Sequence, residues 1–550
     1  MRFLILILLL FVSCGRGDNN MAIEEYEKED IIIESEKMDF INLIPQGKIA
    51  NMVYIVTPPE LIDDFLFIQA LQGITAREEA AIYINAGRSY ALWLEMAQDL
   101  LGFETKRIHD VWDLVDIFGD ILNGYIIYDM DSLNIAATLS GLESALPITN
   151  RMIARAEARG LELLLDAREY NSAMILEQYG EQINKRVFLN QQQNNPALRD
   201  IGIMLKAIVD YERDIASLLE FFEPNTLLLG WHHDEVSGVQ TASKNQAITI
   251  PSDHAYNLSF LASMPRVEHE QKQTIDIDIK AEQGKHYVAF VYSDGDNIQW
   301  MTGGAPLDTD RFAHSSIQDN IIPFGWSLSP GLSMWASVIM DYLYKNMSTA
   351  DEFVSAVSGF GYIHPSEYFN TDRLEDLEEF AALTSFYMNM SDMRLMEILD
   401  EHASNPRTEV LDIFTAHDNI NGIFYKTGDR YVGGRGFIRW SNDKPVVAFR
   451  ESLWTKDMSR KEREIYEMAY RVTQYPKDPT TINGFTLINV HAWSHEFESI
   501  RKMVAWWDEN DPNIIVVTPT TFMRLISENL PRVDERPNIN FDSWFDYPDI

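Results

Sequence analysis

His286-Tyr287-Val288-Ala289-Phe290-Val291-Tyr292-Ser293-Asp294-Gly295-Asp296-Asn297 is the stretch on which the reading of this chain turns. It opens as an apolar and aromatic run, the pattern of a strand buried in a sheet. The run stops on an Asp-Gly-Asp turn. Glycine between the two acids frees the backbone there, so both carboxylates can be aimed at one place.

Outward from this stretch the second half repeats the theme. Ile321–Trp326, Glu352–Gly359, Glu409–Thr415, Pro445–Arg450, Phe485–His491 and Asn513–Thr518 read as further strands. Amphipathic helices are predicted between several of them, over 333–347, 373–384, 392–402, 460–472 and 496–507. Seven strands with helical crossovers predict an irregular (β/α)7-8 barrel over residues 276–550. In such barrels reactive groups gather where strands end, which ranks Asp294 and Asp296 first.

Residues 46–275 alternate strand-like and helix-like segments, as in Met52–Thr57, Pro59–Ala70 and Ala80–Ile84. This is the rhythm of βαβ units, so the fold class is α/β throughout. Three sections are expected, about 46–120, 121–195 and 196–275.

The N-terminus reads as an address. Arg2 is followed by an apolar run, Phe3–Val12, too short to span a bilayer but suited to a signal peptide over 1–13. Phe11-Val12-Ser13-Cys14 then looks like a lipoprotein processing site, with Cys14 as the lipidated residue. Cys14 is the only cysteine, so no disulfide is available. Residues 14–45 carry an acidic run and are read as a tether. The expected location is extracytoplasmic and lipid-anchored, on the periplasmic or cell-surface face of an outer membrane.

The 550 residues hold 84 acidic and 45 basic side chains, a formal net charge of −39. That balance argues against nucleic acid and anionic lipid surfaces as partners, leaving the lipid anchor as the contact with membrane. No Gly-x-Ser-x-Gly elbow, P-loop or Gly-x-Gly-x-x-Gly occurs, so esterase and nucleotide chemistry have no support.

Asp294 and Asp296 suit glycosidic cleavage, which uses one carboxyl as acid and another as base or nucleophile. They would also suit a divalent ion, although no cofactor is expected. The partner carboxylate is sought at other predicted strand ends, at Asp418 in Thr415-Ala-His417-Asp418-Asn419 or at Glu451. Candidate binding groups are Asn297, Trp326, His417, His491 and Trp493, with Tyr362 and His364 from the bend Ser358-Gly-Phe-Gly-Tyr-Ile-His-Pro365. Tyrosine and tryptophan offer flat rings to sugar faces. Asp234 and Glu235, in Gly230-Trp-His-His-Asp-Glu235, are placed on the other wall of a cleft between the halves. His491 and His495 have the His-x-x-x-His spacing of a zinc helix, but Ala492 stands where a zincin carries its glutamate.

Gly359-Phe-Gly361-Tyr362-Ile-His364-Pro365 resembles the signature of the GxGYxYP family, with His364 in place of the last aromatic. The Ser-Asp-Gly-Asp-Asn turn and the Gly-Trp-His-His-Asp-Glu phrase resemble the same family, and the likeness extends over about 46–550. The resemblance implies a Bacteroides-type surface or periplasmic protein of sugar metabolism. It also implies a C-terminal half similar to the barrels of glycoside hydrolases and polysaccharide deacetylases. The expected activity is glycoside hydrolysis of a polysaccharide or oligosaccharide. The alternatives are a non-catalytic carbohydrate-binding lipoprotein, and a metal-dependent deacetylase using Asp294 with His491 or His495.

Overall fold

A computed structural model of the chain describes residues 44, 46–211, 215–315, 321–401 and 405–537. The expected signal peptide, Cys14 and nearly all of the tether lie outside them. No helix among the described residues is long and apolar enough to cross a membrane. The described residues belong to one compact unit.

Three small parallel sheets come first. Strands β1 (Ile49–Val56), β2 (Ala80–Ile84) and β3 (Glu104–Ile108) order as β2-β1-β3. Strands β4 (Tyr125–Ile127), β5 (Leu146–Ile148) and β6 (Leu163–Asp166) order as β5-β4-β6. The third sheet holds β7 (Val187–Asn190), β8 (Ile208–Asp210), β9 (Thr226–Gly230) and β10 (Ala247–Pro251), ordered β10-β9-β7-β8. Because β7 pairs with β8 and β9, this third section starts before residue 196. β2, β4, β5, β7, β9 and β10 are buried along their whole length and need a cover on both faces, whereas the edge strands β3 and β6 are largely exposed or half-buried.

The second half is built on a ten-stranded sheet that curls into a half-barrel. Its strands are β11 (His286–Tyr292), β12 (Phe324–Leu328), β13 (Asp351–Ser355), β14 (Leu395–Leu399), β15 (Gly422–Lys426), β16 (Ile438–Ser441), β17 (Lys444–Ala448), β18 (Glu451–Leu453), β19 (Phe485–Val490) and β20 (Ile514–Val516). The order is β16-β17-β15-β14-β13-β12-β11-β19-β18, with β20 also on β11. All pairs are parallel except the β16–β17 hairpin. Lys444–Leu453 is one run of chain whose first part pairs with β15 and whose last part pairs with β19.

Strand alternation sorts the core. Tyr287, Ala289 and Val291 of β11 pack with Phe424, Val447 and Leu487 against Phe522, Met523, Leu525 and Ile526 of the helix Pro519–Asn529. Phe290, on the opposite face, stacks on Trp507 of the helix Phe497–Asn510.

Two sequence expectations are corrected. Glu409–Thr415 is not a strand but part of the helix Thr408–Thr415, whose buried Val410, Leu411 and Phe414 fall on one helical face. Residues 392–402 are not a helix; they contain β14, every residue of which is buried. The charge of Glu397 masked this strand, and it is tolerated because Lys426 on β15 pairs with it.

Candidate functional site

The Asp-Gly-Asp turn is shaped by what lies behind it. Gly295 sits so close to β12 that a Cβ there would meet Ser327 O at 1.6 Å. Gly295 O also accepts from Ser329 N at 3.0 Å. Asp294 adopts a left-handed backbone, φ 70°, which short polar residues tolerate best. The Asp294 carboxylate accepts from the Ser293 hydroxyl on Oδ2 and from Trp493 Nε1 on Oδ1, the latter at 3.0 Å. Ser293 Oγ accepts in turn from Ala492 N at 3.2 Å, which ties the turn to the loop after β19.

A second wall comes from the bend after β13. Gly359 has φ 116° and packs on Thr384. Gly361 faces the third sheet, where a Cβ would meet Ile248 Cγ2 at 2.5 Å. Tyr362 exchanges backbone hydrogen bonds with Thr249 of β10, at 2.9 and 3.2 Å, so the bend is stitched to the preceding section. The glycines therefore do different work: one supplies the left-handed turn, the other permits close approach.

That contact brings in the third wall. Asp234 caps the helix Glu235–Lys244 by accepting from Ser237 N, and this sets Glu235 at its first turn. Glu235 Oε1 accepts from the Tyr362 hydroxyl at 3.4 Å. Glu235, Asp294, Asp296, Asn297, Tyr362, Trp231, Lys426, Tyr431 and Trp493 together line one cavity of about 220 Å³.

Its electrostatics are unusual. Burial, then the charge of Asp294 and after it that of Glu235, push the Asp296 carboxyl up to about 8, with Lys426 opposing. Glu235 is exposed as a residue, yet protein crowding its carboxyl and then the charge of Asp294 also raise its pKa. Lys426 Nζ lies 2.8 Å from Glu397 Oε1, both side chains buried, and Glu397 Oε2 accepts from Ser327 Oγ at 2.7 Å. Asn297 Oδ1 is buried without a hydrogen-bond partner among the described residues. Trp493 is 54% exposed and packs beside Trp300.

Other sequence candidates fall elsewhere. Asp418 is exposed and His417 lies beside it, in the loop leading into β15, at the end of the sheet away from the cavity. Both had been placed at a strand end, and the preceding segment is a helix. Glu451 is buried at the start of β18 and paired through both oxygens with Arg471 at 2.9 Å. Trp326 is buried, donates to Asp351 Oδ1 at 2.8 Å and packs among Phe312, Phe324 and Phe497. His364 is buried behind Tyr362. Asp234 serves as a helix cap, not as part of the lining.

His491 stacks on Trp454 at 3.7 Å and is outside the lining. His495 is buried, with its ring nitrogens at Ser499 and Glu464. Among the described residues no group of three or more His, Cys, Asp or Glu side chains is arranged to hold a metal.

Sequence reasoning missed Trp231, Lys426 and Tyr431. The end of β15 carried the usable signal for Lys426, a charged residue closing the apolar run Gly422-Ile-Phe-Tyr-Lys.

No curated protein matches the chain. A crystal structure of a putative hydrolase from Bacteroides thetaiotaomicron VPI-5482 superposes with a TM-score of 0.77 at 26% identity, covering 88% of this chain and 96% of that one. Residues 63–120, 122–183 and 184–263 match the first, second and third GxGYxYP domains. Residues 284–527, which hold both the Asp-Gly-Asp turn and the Gly-Phe-Gly-Tyr bend, match the GxGYxYP putative glycoside hydrolase C-terminal domain. The walls of the cavity thus come from two domains of a single four-domain arrangement, and the chain belongs to the GxGYxYP family.

Proposed function

We propose that this protein hydrolyses glycosidic bonds in a polysaccharide or oligosaccharide. The observation that carries the reading is the meeting of Asp294 and Asp296 with Trp493 and Tyr362 in one cavity. An acid held protonated near neutral pH beside a second carboxylate is the equipment that protonates a leaving glycosidic oxygen. Asp296 is that acid, and the exposed ring of Trp493 is the platform for a sugar face. The family description and the hydrolase neighbour favour the same class of reaction.

The closing run Lys444–Leu453 supports a matching reading of the fold. Its pairing with β15 at one end and β19 at the other is what a stave joining the two sides of an irregular (β/α) barrel would do. Asp294 and Asp296 would then stand at the C-terminal mouth, where barrel enzymes carry their chemistry.

The test is a panel of unlabelled glycans incubated with the full chain and read by mass spectrometry. Shortened chains with the wild type and none with Asp296→Asn support cleavage. Binding without product would make the protein a carbohydrate-binding lipoprotein, and loss of acetyl groups alone a deacetylase. Export and lipidation at Cys14 belong to the same proposal. Incorporation of labelled palmitate that Cys14→Ser abolishes is the expected result.

A further inference from the structure

The two partner carboxylates sought from the sequence are out of reach: Asp418 is exposed beyond the far end of β15 and Glu451 is held by Arg471. Asp294 is inside, but each of its oxygens already accepts a hydrogen bond, from Ser293 and from Trp493. Those bonds hold the turn and the tryptophan in place, and Asp294 shares its turn with Asp296, two residues away. One further carboxylate lines the cavity. Glu235 stands on the wall contributed by the third domain and meets the Tyr362 hydroxyl through one oxygen. Its position does not depend on a mobile loop, because the helix cap at Asp234 and the Thr249–Tyr362 stitch fix both sides of that contact.

We infer that the catalytic pair straddles two domains, with Asp296 as the acid and Glu235 of the third domain as the base. The inference rests on the glycosidase reading above. In the step, the bond between the anomeric carbon and the glycosidic oxygen breaks and its electron pair leaves with the oxygen. Asp296 gives that oxygen its proton. A water adds to the anomeric carbon, and Glu235 takes the proton the water sheds. One water is consumed; solvent returns a proton to Asp296 and removes one from Glu235. A base-activated water that adds from the side of the sugar ring opposite the departing oxygen gives an inverted product anomer, which is the outcome this assignment expects. Tyr362, the family's motif tyrosine, then has a stated task as a positioning residue: its hydroxyl orients the base.

The experiment uses the full chain and a panel of 2,4-dinitrophenyl glycosides, whose leaving group needs little protonation, beside the glycan that the wild type cleaves. Glu235→Ala is expected to lose at least 100-fold in turnover on every substrate, and sodium azide to restore it on the activated glycoside with formation of a glycosyl azide. Glu235→Gln is expected to melt like the wild type and stay inactive. Asp296→Ala should lose turnover on the glycan but keep much of it on the dinitrophenyl glycoside. Near wild-type rates in Glu235→Ala, with Asp296→Ala impaired, overturn the inference and leave the glycosidase reading standing. So does retention of configuration in the product, read by proton NMR. Wild-type rates in both variants, or no cleavage by the wild type, overturn both.

Discussion

Trp493 Nε1 donates to Asp294 Oδ1 at 3.0 Å, so the rim tryptophan is tied directly to the acidic turn of the cavity. The loop after β19 carries the ring, the turn after β11 carries the acceptor, and neighbouring parallel strands bring the two together. More than half of Trp493 is exposed, so the ring contributes little to the core. Trp493→Ala is expected to leave thermal stability nearly unchanged and to raise KM for the cleaved glycan roughly tenfold, the loss of about 1.4 kcal/mol of stacking. Trp493→Phe, which keeps a ring but no donor, should fall between. Steady-state kinetics on both variants check this.

Asp296 sets a pH dependence whose sign can be worked out. Its carboxyl sits at about 8 in the folded chain against an ordinary 3.8. Between those values the folded state holds a proton that the unfolded chain has lost. Stability contributed at this site therefore falls as pH rises from about 4 to about 8, and is flat above. Asp296→Asn should remove that slope, so its melting temperature gains on the wild type as pH is raised from 5 to 8. Catalysis should show the same group: kcat/KM should decline above about pH 8. Asp294→Asn removes the nearest like charge and should move that decline to lower pH, in whatever activity remains.

Lys426 and Glu397 form a buried ion pair inside the sheet, with Ser327 completing the carboxylate. Removing only the cation strands a charge in a low-dielectric interior. Lys426→Met is expected to cost about 3–5 kcal/mol in urea unfolding. Lys426→Met combined with Glu397→Gln should recover most of that loss. Equal destabilisation of the single and double variants would show that the pair is not what matters there.

Much of this molecule was legible from residue pattern, and the gaps have physical causes. The turn at Asp294–Asn297 announced itself because an apolar run ended abruptly on acids. β14 was misread as a helix because Glu397 sits mid-strand, and only its partner on β15 makes a charge there tolerable. The helix Thr408–Thr415 passed for a strand because its apolar residues are crowded into eight positions, too few for a period to show. That error carried Asp418 and His417 to the wrong end of the sheet. Trp326 could not be told from a ligand-binding ring, since its burial among Phe312, Phe324 and Phe497 is a property of packing between distant segments. Glu235 was placed on the cleft wall, but its neighbours depend on a contact between domains more than 100 residues apart in sequence.

That interdomain contact gives the last prediction. Gly361 approaches β10 so closely that a methyl group would meet Ile248 Cγ2 at 2.5 Å and Ile250 Cδ1 at 2.7 Å. Both contacts are to side chains in a packed interior, where overpacking costs typically about 1–3 kcal/mol. Gly361→Ala should lose that much in denaturant unfolding and push the Tyr362 hydroxyl away from Glu235, so turnover should fall further than stability does. Gly359→Ala meets Thr384 at 2.5 Å and also carries a φ of 116°, so it should destabilise more. Gly303, at the end of the helix Ile298–Gly303 with open space where a side chain would stand, is the control, and Gly303→Ala should be neutral or slightly stabilising. If Gly361→Ala behaves like Gly303→Ala in both stability and turnover, the bend does not depend on the third domain for its position, and the site is not built across that interface.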